Sequence, residues 1–290
     1  MKKVIIALIF VIAIGGILYT LKIKGEKSIT EEQSFDVKQI EELEINIESW
    51  NIALENTESE KLTIEYEGKQ QQKQRDNPVE IKKDGNKVKV LQQDTEEGVM
   101  NNFSFGKQDT IHIYIPKNAV SKIALKNSYG DIKINNIETE ELSISTDSGA
   151  KVIKGLSADK GTITSKDGEL SIVDSSLNEL TIAATNGDSY LTRVYSPKAK
   201  ITSTSGEVLM KEIIQGKSLF IETASGDITI SYKEAPISLD LIAKSESSDI
   251  SVNLEGYQKK EHTDQLKTGK IGDASNKLEL ISKEGIITVK

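Results

Sequence analysis

Carboxylate side chains recur at one position of a sequence repeat, and they are the first candidates for chemistry in this chain. Each directly follows the small residue that closes a repeat unit: Asp131, Glu169, Asp188, Glu207, Asp227 and Asp249. If the units stack as strands, these side chains lie roughly 5 Å apart, where like charges repel and a divalent cation such as Ca²⁺ would relieve the repulsion. Ordinary turns explain the same residues, and the Gly-Gly-x-Gly-x-Asp spacing of calcium-binding rolls is missing. We therefore predict weak cation binding at most, and no assigned metal site.

Catalytic side chains of other types are sparse. The chain has no cysteine, two histidines and two arginines, which excludes disulfides, thiolate metal sites and a cysteine nucleophile. Arg75 lies in a Gln/Lys-rich segment, and Arg193 is more typical of a solvated surface residue than of a substrate clamp. A polysaccharide lyase or hydrolase would need paired carboxylates, or a base beside one, in a cleft. We predict no enzymatic activity, no catalytic residue and no cofactor.

Two sets of residues are candidates for a binding surface. The aromatic set could stack on carbohydrate, although at 5% of the chain such residues are sparse and more typical of packing: Trp50, Tyr129, Tyr190, Tyr195, Tyr232 and Tyr257. The hydroxyl set forms a flat outward strip that β propensity explains equally well: Ser143, Ser145, Thr162, Thr164 and Thr202. The net charge of −8 argues against nucleic acid as a partner.

The repeat itself must position these residues. Its closing glycines lie 19 or 20 residues apart: Gly130, Gly149, Gly168, Gly187, Gly206 and Gly226. Apolar residues recur seven and five positions before each glycine and two and four after it, the period-two pattern of strands. A unit this short buries too little to fold alone, so it must stack on its neighbours. We predict an all-β, single-chain parallel β-solenoid of about 19–20 residues per coil, right-handed as nearly all parallel connections are.

Two further positions describe the coil. A third apolar residue seven places after the glycine indicates a third short side: Ile137, Leu156, Val194 and Ile213. Small polar residues three places before the glycine point inward by parity, where they can bond the turn backbone. Glycine at the turn is expected to supply a positive φ.

The chain divides into four segments. Residues 1–24 hold an apolar run from Val4 to Leu21, long enough for one transmembrane helix. Residues 25–40 are expected to form a polar linker, 41–118 an irregular N-terminal β cap with Trp50 at the centre of a degenerate coil, and 119–290 the solenoid. Residues 253–277 interrupt the period and are expected to form an excursion loop.

The N-terminal segment favours an uncleaved anchor. A cleaved signal peptide is the alternative, but its small-residue site would fall at Ala13–Gly15, inside the apolar run. Lysines flank both ends in nearly equal number, so the positive-inside count barely decides orientation. We expect a single-pass protein of the cell membrane with its C-terminal domain extracytoplasmic.

The repeat resembles a known family. Ile111-His-Ile-Tyr-Ile-Pro116, Ile123-Ala-Leu-Lys-Asn-Ser-Tyr-Gly-Asp-Ile-Lys-Ile134 and the later Ser/Thr-x-Ser-Gly-Asp/Glu units resemble the bacterial β-strand-repeat family named "putative adhesin". With its N-terminal apolar segment, the layout is similar to LiaG-type membrane proteins of Gram-positive bacteria. The resemblance covers about residues 40–290 and implies a membrane-anchored, surface-facing domain linked to envelope-stress operons. It supplies no catalytic residues, because the repeat consists of packing and turn positions.

The functional prediction is a non-catalytic interaction module at the bacterial cell envelope that binds an envelope protein or a cell-wall polymer and reports envelope stress. An adhesin-like or structural surface protein is the alternative, although about eight coils would reach only some 40 Å. A carbohydrate-active enzyme is the third possibility. The ligand, the oligomeric state and the direction of any regulation stay open at this point.

Overall fold

The computed structural model describes residues 26–71, 78–92, 109–247 and 249–290. The predicted membrane segment, residues 1–24, lies outside them. Within the described residues, strands and turns account for the fold apart from one 3₁₀ turn at Val37–Gln39, and none of the helical structure is long and apolar enough to cross a membrane. The predicted all-β class is confirmed.

The described strands are numbered in chain order. The first twelve are β1 (Glu26–Asp36), β2 (Glu42–Ile47), β3 (Asn51–Thr57), β4 (Lys61–Gln71), β5 (Val79–Asp84), β6 (Lys87–Gln92), β7 (Thr110–Pro116), β8 (Lys122–Asn127), β9 (Ile132–Asn135), β10 (Glu138–Thr146), β11 (Lys151–Lys154) and β12 (Ser157–Ser165). The others are β13 (Leu170–Asn186), β14 (Ser189–Tyr195), β15 (Lys198–Ser205), β16 (Val208–Ile213), β17 (Ser218–Ser225), β18 (Ile228–Tyr232), β19 (Leu239–Ser245), β20 (Ile250–Val252), β21 (Gln258–His262), β22 (Leu266–Ile271), β23 (Lys277–Ser282) and β24 (Ile287–Val289).

The central coils stack in parallel at the spacing that the repeat predicts. Leu142 lies opposite Gly161, which in turn lies opposite Leu180, so each strand pairs with the segment 19 residues away. The residues at the two positions on either side of the turn face inward, and nearly all of them are aliphatic and almost fully buried. Gly161, Lys151 and Ser189 are the exceptions in the central coils. The predicted third side is also present, and its apolar residues are buried in the core: Ile137, Leu156, Val194 and Ile213.

A column of glycines runs along the turn between the two long sides. A Cβ built on Gly168 would lie 2.4 Å from the carbonyl oxygen of Gly149, and one built on Gly226 would lie 2.0 Å from that of Gly206. Only some of these glycines have positive φ: Gly149, Gly168, Gly187 and Gly206. All glycines of the column are therefore needed because the backbones of adjacent coils approach closely there. The predicted positive φ is found only in the middle of the column.

The coils at the C-terminal end are interlocked rather than stacked in chain order. The last coil, β23 and β24, pairs with β17 and β18 on one side and with β19 and β20 on the other. The segment predicted as an excursion loop, 253–277, contains the antiparallel hairpin β21–β22, and β22 pairs with the far edge of β19. The hairpin covers an edge that would otherwise be open to pairing with other chains.

The N-terminal end has the same interlocked arrangement. Strands β2 and β3 lie between the coil of β6 and β7 and the coil of β8 and β9. Much of the predicted irregular cap, 41–118, thus consists of two regular coils, and the first is the degenerate coil expected around Trp50. The described part of the molecule contains ten coil levels, which at strand spacing measure roughly 45 Å.

Most of the predicted linker, 25–40, is a strand. Residues 26–36 form β1, which pairs antiparallel with β4 over its whole length, and β4 pairs with β7 of the end coil. Tyr66 donates a hydrogen bond from its hydroxyl to Glu31 at 2.6 Å and packs edge-on against Trp50. From residue 30 to residue 36 the side chains of this ribbon alternate between exposed and half-buried, which accounts for the polar composition that suggested a linker.

One outward position carries charges that alternate in sign from coil to coil. Its members face one another in register from β6 to β15: Lys87, Glu42, Lys122, Glu141, Lys160, Glu179 and Lys198. Lys87 lies 3.1 Å from Glu42, and Lys198 lies 2.8 Å from Glu179. The pairs range from half-buried, as in Lys87–Glu42, to exposed, as in Lys198–Glu179. Each adds little alone, but the row penalises any shift of one coil against another.

Reversing one charge in this row should be costly. We expect Glu141→Lys to lower the free energy of unfolding by about 1 kcal/mol, because it places a third lysine between Lys122 and Lys160. Urea unfolding at low and high salt measures the effect, which screening should shrink. Glu279→Lys, on an outward face away from the row, is the control; an equal cost for both variants would contradict a role for the alternating charges.

Candidate functional site

A polar column fills the inside of the glycine turn. Thr223 donates from its hydroxyl to the carbonyl oxygen of Gly226 at 2.7 Å, Ser282 donates to the same oxygen at 3.2 Å, and the Asn127 amide bonds both the carbonyl oxygen and the N–H of Gly130. All three side chains are buried. The predicted structural role of this column is confirmed, and it offers no site to a ligand.

Lys151 is a buried cation that the apolar pattern did not reveal. It takes an inward position usually held by an aliphatic residue, and only 1% of it is exposed. Its ammonium group donates to Ser165 Oγ at 2.7 Å, to the Asp167 carbonyl oxygen at 2.8 Å and to that of Gly168 at 3.0 Å. Burial lowers the pKa of Lys151 to about 8, with nearby Asp167 and Asp131 opposing the shift. Lys151 therefore stabilises a turn.

Lys151 gives the stability a pH dependence. Its folded pKa of about 8 lies below the ordinary 10.5, so the unfolded chain binds more protons between these values and stability rises with pH. Measured against Lys151→Met, the wild-type chain should gain stability between about pH 8 and pH 10. Urea unfolding of both proteins across this range tests the expectation, with Lys133→Met as the control for loss of an exposed lysine. A stability difference that stays constant would show that Lys151 does not titrate there.

The carboxylates that follow the turn glycines act between coils. Asp131 accepts a hydrogen bond from the Ala150 N–H, and Asp188 accepts one from the Glu207 N–H, both at 2.8 Å. Asp227 does the same for the Ile286 N–H of the inserted last coil, at 2.8 Å. In the described part of the chain, no group of three or more acidic or histidine side chains is placed to hold a metal ion. Asp131, Asp188 and Asp227 thus join adjacent coils by accepting hydrogen bonds from the backbone of the next coil.

Arg193 lies in an ion pair on the outer surface. Its guanidinium donates to Asp174 one coil below at 2.5 and 3.2 Å, and it contacts Glu212 one coil above at 3.4 Å. Asp174 raises the pKa of Arg193, and Arg193 lowers that of Asp174. These residues share a corner whose members all have left-handed backbone, a feature that the sequence analysis missed: Asn136, Gly155, Asp174, Arg193 and Glu212.

The aromatic residues do not form one surface. Trp50 is 7% exposed and packs against Tyr66, Tyr190 donates to Asp188 at 2.9 Å, and Tyr232 donates to Gln215. Hydrogen bonding to Asp188 and burial raise the pKa of Tyr190 to about 12. Tyr129 and Tyr195 are the strongly exposed members, at 54% and 41%. The predicted hydroxyl strip does line up, with Ser143 opposite Thr162 and Ser145 opposite Thr164, but as part of a flat sheet face.

A groove on the third side of the coils is the candidate binding site. It has a volume of about 320 Å³ and crosses several neighbouring coils. Buried Val120 and Ala158 lie at its base, and its rim carries acidic, amide and hydroxyl side chains. The rim residues used below are Glu138, Glu140, Ser157, Asp159, Ser176 and Asn178.

Small residues open this groove. Glu138, Ser157, Ser176 and Tyr195 occupy one register position in four consecutive coils. The two serines leave space between longer side chains, and exposed Tyr195 lies one coil beyond Ser176. The sequence carries a signal for this row, because Ser157, Ser176 and Tyr195 follow one another at 19-residue spacing.

Hydrogen bonds between coils order the polar rim. The Asn178 amide donates to Asp159 Oδ1 at 2.7 Å, which holds both side chains together on neighbouring coils. Thr139 donates from its hydroxyl to the carbonyl oxygens of Val120 and Ser121 at 3.0 and 2.9 Å, and Glu138 pairs with Lys117 at 3.0 Å. Donors and acceptors are therefore already positioned along the groove, which favours binding by reducing ordering costs.

Comparisons with known proteins find one matching family and several similar solved structures. A family profile described as Toastrack DUF4097 matches residues 40–290. A "putative adhesin" from Bacteroides fragilis is 16% identical over 91% of this chain and 96% of that one, with a TM-score of 0.47. A "putative adhesin" from Parabacteroides distasonis (11% identity, 90% and 97% coverage, TM-score 0.43) and a "putative cell adhesion protein" from Clostridium sporogenes (11%, 91% and 99%, 0.33) are also similar. No match was found among curated proteins.

Proposed function

The chain belongs to the Toastrack DUF4097 family, and we propose that it is a non-catalytic binding module of the bacterial cell envelope, held at the membrane by its N-terminal segment. The observation that carries this proposal is the polar groove described above, which crosses stacked coils of a rigid scaffold. A site of this kind presents many hydrogen-bonding groups on an extended surface, an arrangement that suits recognition of a polymer or a protein.

The arrangement of titratable groups supports binding rather than catalysis. Arg193 is engaged with Asp174 and Glu212, and Lys151 is buried among turn carbonyls. In the groove, the Asp159 carboxylate accepts a hydrogen bond from the Asn178 amide. An amide does not exchange protons as a catalytic acid or base does, so this pair is not an acid–base pair. A general acid or base needs a group that exchanges protons in contact with substrate. The groups described here serve instead to hold coils and to present hydrogen bonds.

The short connection to the apolar segment supports a position close to the membrane. That segment ends at Leu21 in the sequence, and strand β1 begins at Glu26, so residues 22–25 separate the two. Strand β1 pairs with β4 along its whole length, which ties the start of the domain to the end coil. We therefore propose that the solenoid is held near the outer membrane face and meets envelope components there.

An envelope-stress role is the finer part of the proposal and rests on the resemblance to LiaG-type proteins. The alternative, an adhesin that reaches other cells, is less well supported by the dimensions. Ten coil levels measure roughly 45 Å along the stack, and the start of the domain follows the apolar segment directly. A domain of that length held at the membrane acts within the envelope.

Crosslinking in cells tests the proposed function. The full-length chain is crosslinked with and without a wall-active antibiotic, and captured material is identified by mass spectrometry. We expect specific capture of an envelope protein or wall polymer, with a change on antibiotic treatment if the module reports stress. A chain whose residues 4–21 are replaced by a cleaved export signal is the control for anchoring. Absence of specific capture in both conditions would contradict the proposal.

A further inference from the structure

We propose that the groove on the third side binds a neutral, hydroxyl-rich glycan, an inference that deepens the proposed envelope-binding function and rests on it. The groove's length, its charge, its polar groups and the exposed aromatic residue at one end all point to such a ligand.

The dimensions fit a short run of sugars. Adjacent coils are spaced about 4.8 Å, so the positions of Glu138, Ser157, Ser176 and Tyr195 extend over roughly 14 Å. That length accommodates two or three pyranose rings in an extended chain. A cavity of about 320 Å³ matches the lower range of ligand-binding sites.

The charge of the groove excludes an anionic polymer. Glu138, Glu140 and Asp159 all line it, and no lysine or arginine is among its lining residues. Lys117 pairs with Glu138 and leaves the other two carboxylates uncompensated at the rim. A phosphate- or carboxylate-bearing chain would meet repulsion here, whereas sugar hydroxyls donate readily to carboxylates. The charge therefore favours neutral glycans over anionic ones.

The polar groups of the groove include both hydrogen-bond donors and hydrogen-bond acceptors, and sugar hydroxyls can bond to either kind. Asp159 supplies acceptors, Asn178 supplies both donors and an acceptor, and the Ser157 and Ser176 hydroxyls can do either. Because Asn178 holds Asp159, their oxygen and nitrogen atoms are fixed side by side and can bond neighbouring hydroxyls of one ring. Binding such a ring requires little reorganisation of the groove.

Tyr195 supplies the apolar contact. Its side chain is 41% exposed and lies in register with Ser176, one coil beyond the lined part of the groove. The C–H face of a pyranose can pack on an aromatic ring while its hydroxyls bond the polar rim, the usual combination of aromatic and directional polar contacts in ligand sites. The other strongly exposed tyrosine, Tyr129, lies at a turn and does not line the groove.

Binding of defined oligosaccharides to the full-length chain in lipid nanodiscs tests the inference. The probes are chitotetraose and cellotetraose as neutral glycans and tetragalacturonate as an anionic one, measured by calorimetry. We expect saturable binding of at least one neutral probe and none of the anionic probe. Asn178→Ala and Tyr195→Ala should each weaken binding about tenfold, the loss expected for one well-placed contact. Asn186→Ala, in the same strand as Asn178, and Tyr129→Ala are the matched controls and should bind as the wild type does.

A variant that fills the groove with a larger side chain tests the inference independently of the two alanine variants. Ser176→Tyr places in the groove the residue that already occupies this register position one coil away, so the fold should persist while neutral glycan is excluded. Preferred binding of tetragalacturonate, or binding that Ser176→Tyr leaves unchanged, would overturn the inference. Absence of neutral-glycan binding would also overturn it, and if crosslinking in cells still captures an envelope component, the proposed function stands and its binding surface lies elsewhere.

Discussion

Gly226→Ala is expected to abolish folding of the solenoid or to cost more than about 4 kcal/mol, whereas Gly85→Ala should cost only about 1 kcal/mol. The ranking is the opposite of what backbone conformation alone suggests. Gly85 has a φ of 63°, in the left-handed region that favours glycine, while the φ of Gly226 lies outside that region. What separates them is the space available to a Cβ atom.

The physical reason is contact between coils. A Cβ on Gly226 would lie 2.0 Å from the carbonyl oxygen of Gly206 and 2.7 Å from its carbonyl carbon, which are backbone atoms held by the stack. At Gly85, in the turn between β5 and β6, a Cβ would meet nothing within 4 Å. Relief of the clash at Gly226 requires the coils to separate, and coil separation breaks the ladder hydrogen bonds on both long sides.

Circular dichroism and urea unfolding of the two variants measure this difference. If Gly85→Ala proved as damaging as Gly226→Ala, the close approach between coils would not be the reason for the glycine column. An intact, wild-type-like Gly226→Ala protein would contradict the stacking itself.

Removal of the last coil should be the second large effect. A chain ending at Asn276 lacks β23 and β24, and with them four fully buried side chains, Leu278, Leu280, Ile287 and Val289. Their burial is worth roughly 6–12 kcal/mol, comparable to the whole stability of a typical domain. We expect β17 to β20 to lose their protection from hydrogen exchange, because both faces of the vacated level are strand edges.

A synthetic peptide of residues 277–290 should restore that protection when added in trans, since it can insert between β17 and β19. Ile286→Ala in the full chain is the control, because Ile286 belongs to the same coil but is 46% exposed. If the truncated chain protected β19 and β20 without the peptide, those strands would have closed directly onto β17 and β18, and the inserted coil would be dispensable.

Much of the fold was predictable because the repeat encodes it twice, in apolar phase and in glycine spacing. At two of the inward positions that lack the usual aliphatic residue, contacts with residues of other turns or coils compensate for it. Gly161 takes an inward position that usually holds an aliphatic residue, and the side chain of Leu177 from the next coil fills the space, with its Cδ2 atom 2.3 Å from where a Cβ would stand. Lys151 likewise replaces an aliphatic residue and is held by turn carbonyls.

The order of the coils was not predictable, because every coil has the same phase and can in principle stack on any other. Features outside the core decide it. The register places Lys277 of the last coil opposite Asp240, and Asp227 accepts from the Ile286 N–H of that coil. Direct stacking of β19 on β17 would instead set Asp240 against Ser218. The register position and the hydrogen bond involve a few side chains and carry no periodic signal.

The groove was missed for a related reason. Its side chains are ordinary serines, acids and amides, none of which indicates a binding site by itself. They form a site only because the 19-residue register brings residues of successive coils into one row: Glu138, Ser157, Ser176 and Tyr195. The linker prediction differed from the structure because residues 26–36 pair with β4, a partner some 35 residues later that no local pattern indicates.

Cosedimentation of the full-length chain in nanodiscs with cell-wall sacculi stripped of their anionic polymers, together with measurement of soluble sugar released, tests the non-catalytic binding function most directly. We expect saturable binding that Tyr195→Ala weakens and Tyr129→Ala does not, without release of sugar fragments. Release of fragments by the wild-type chain would show a catalytic function, and absence of sedimentation would show that the groove does not bind the wall. Either result would contradict a non-catalytic module that binds envelope glycan.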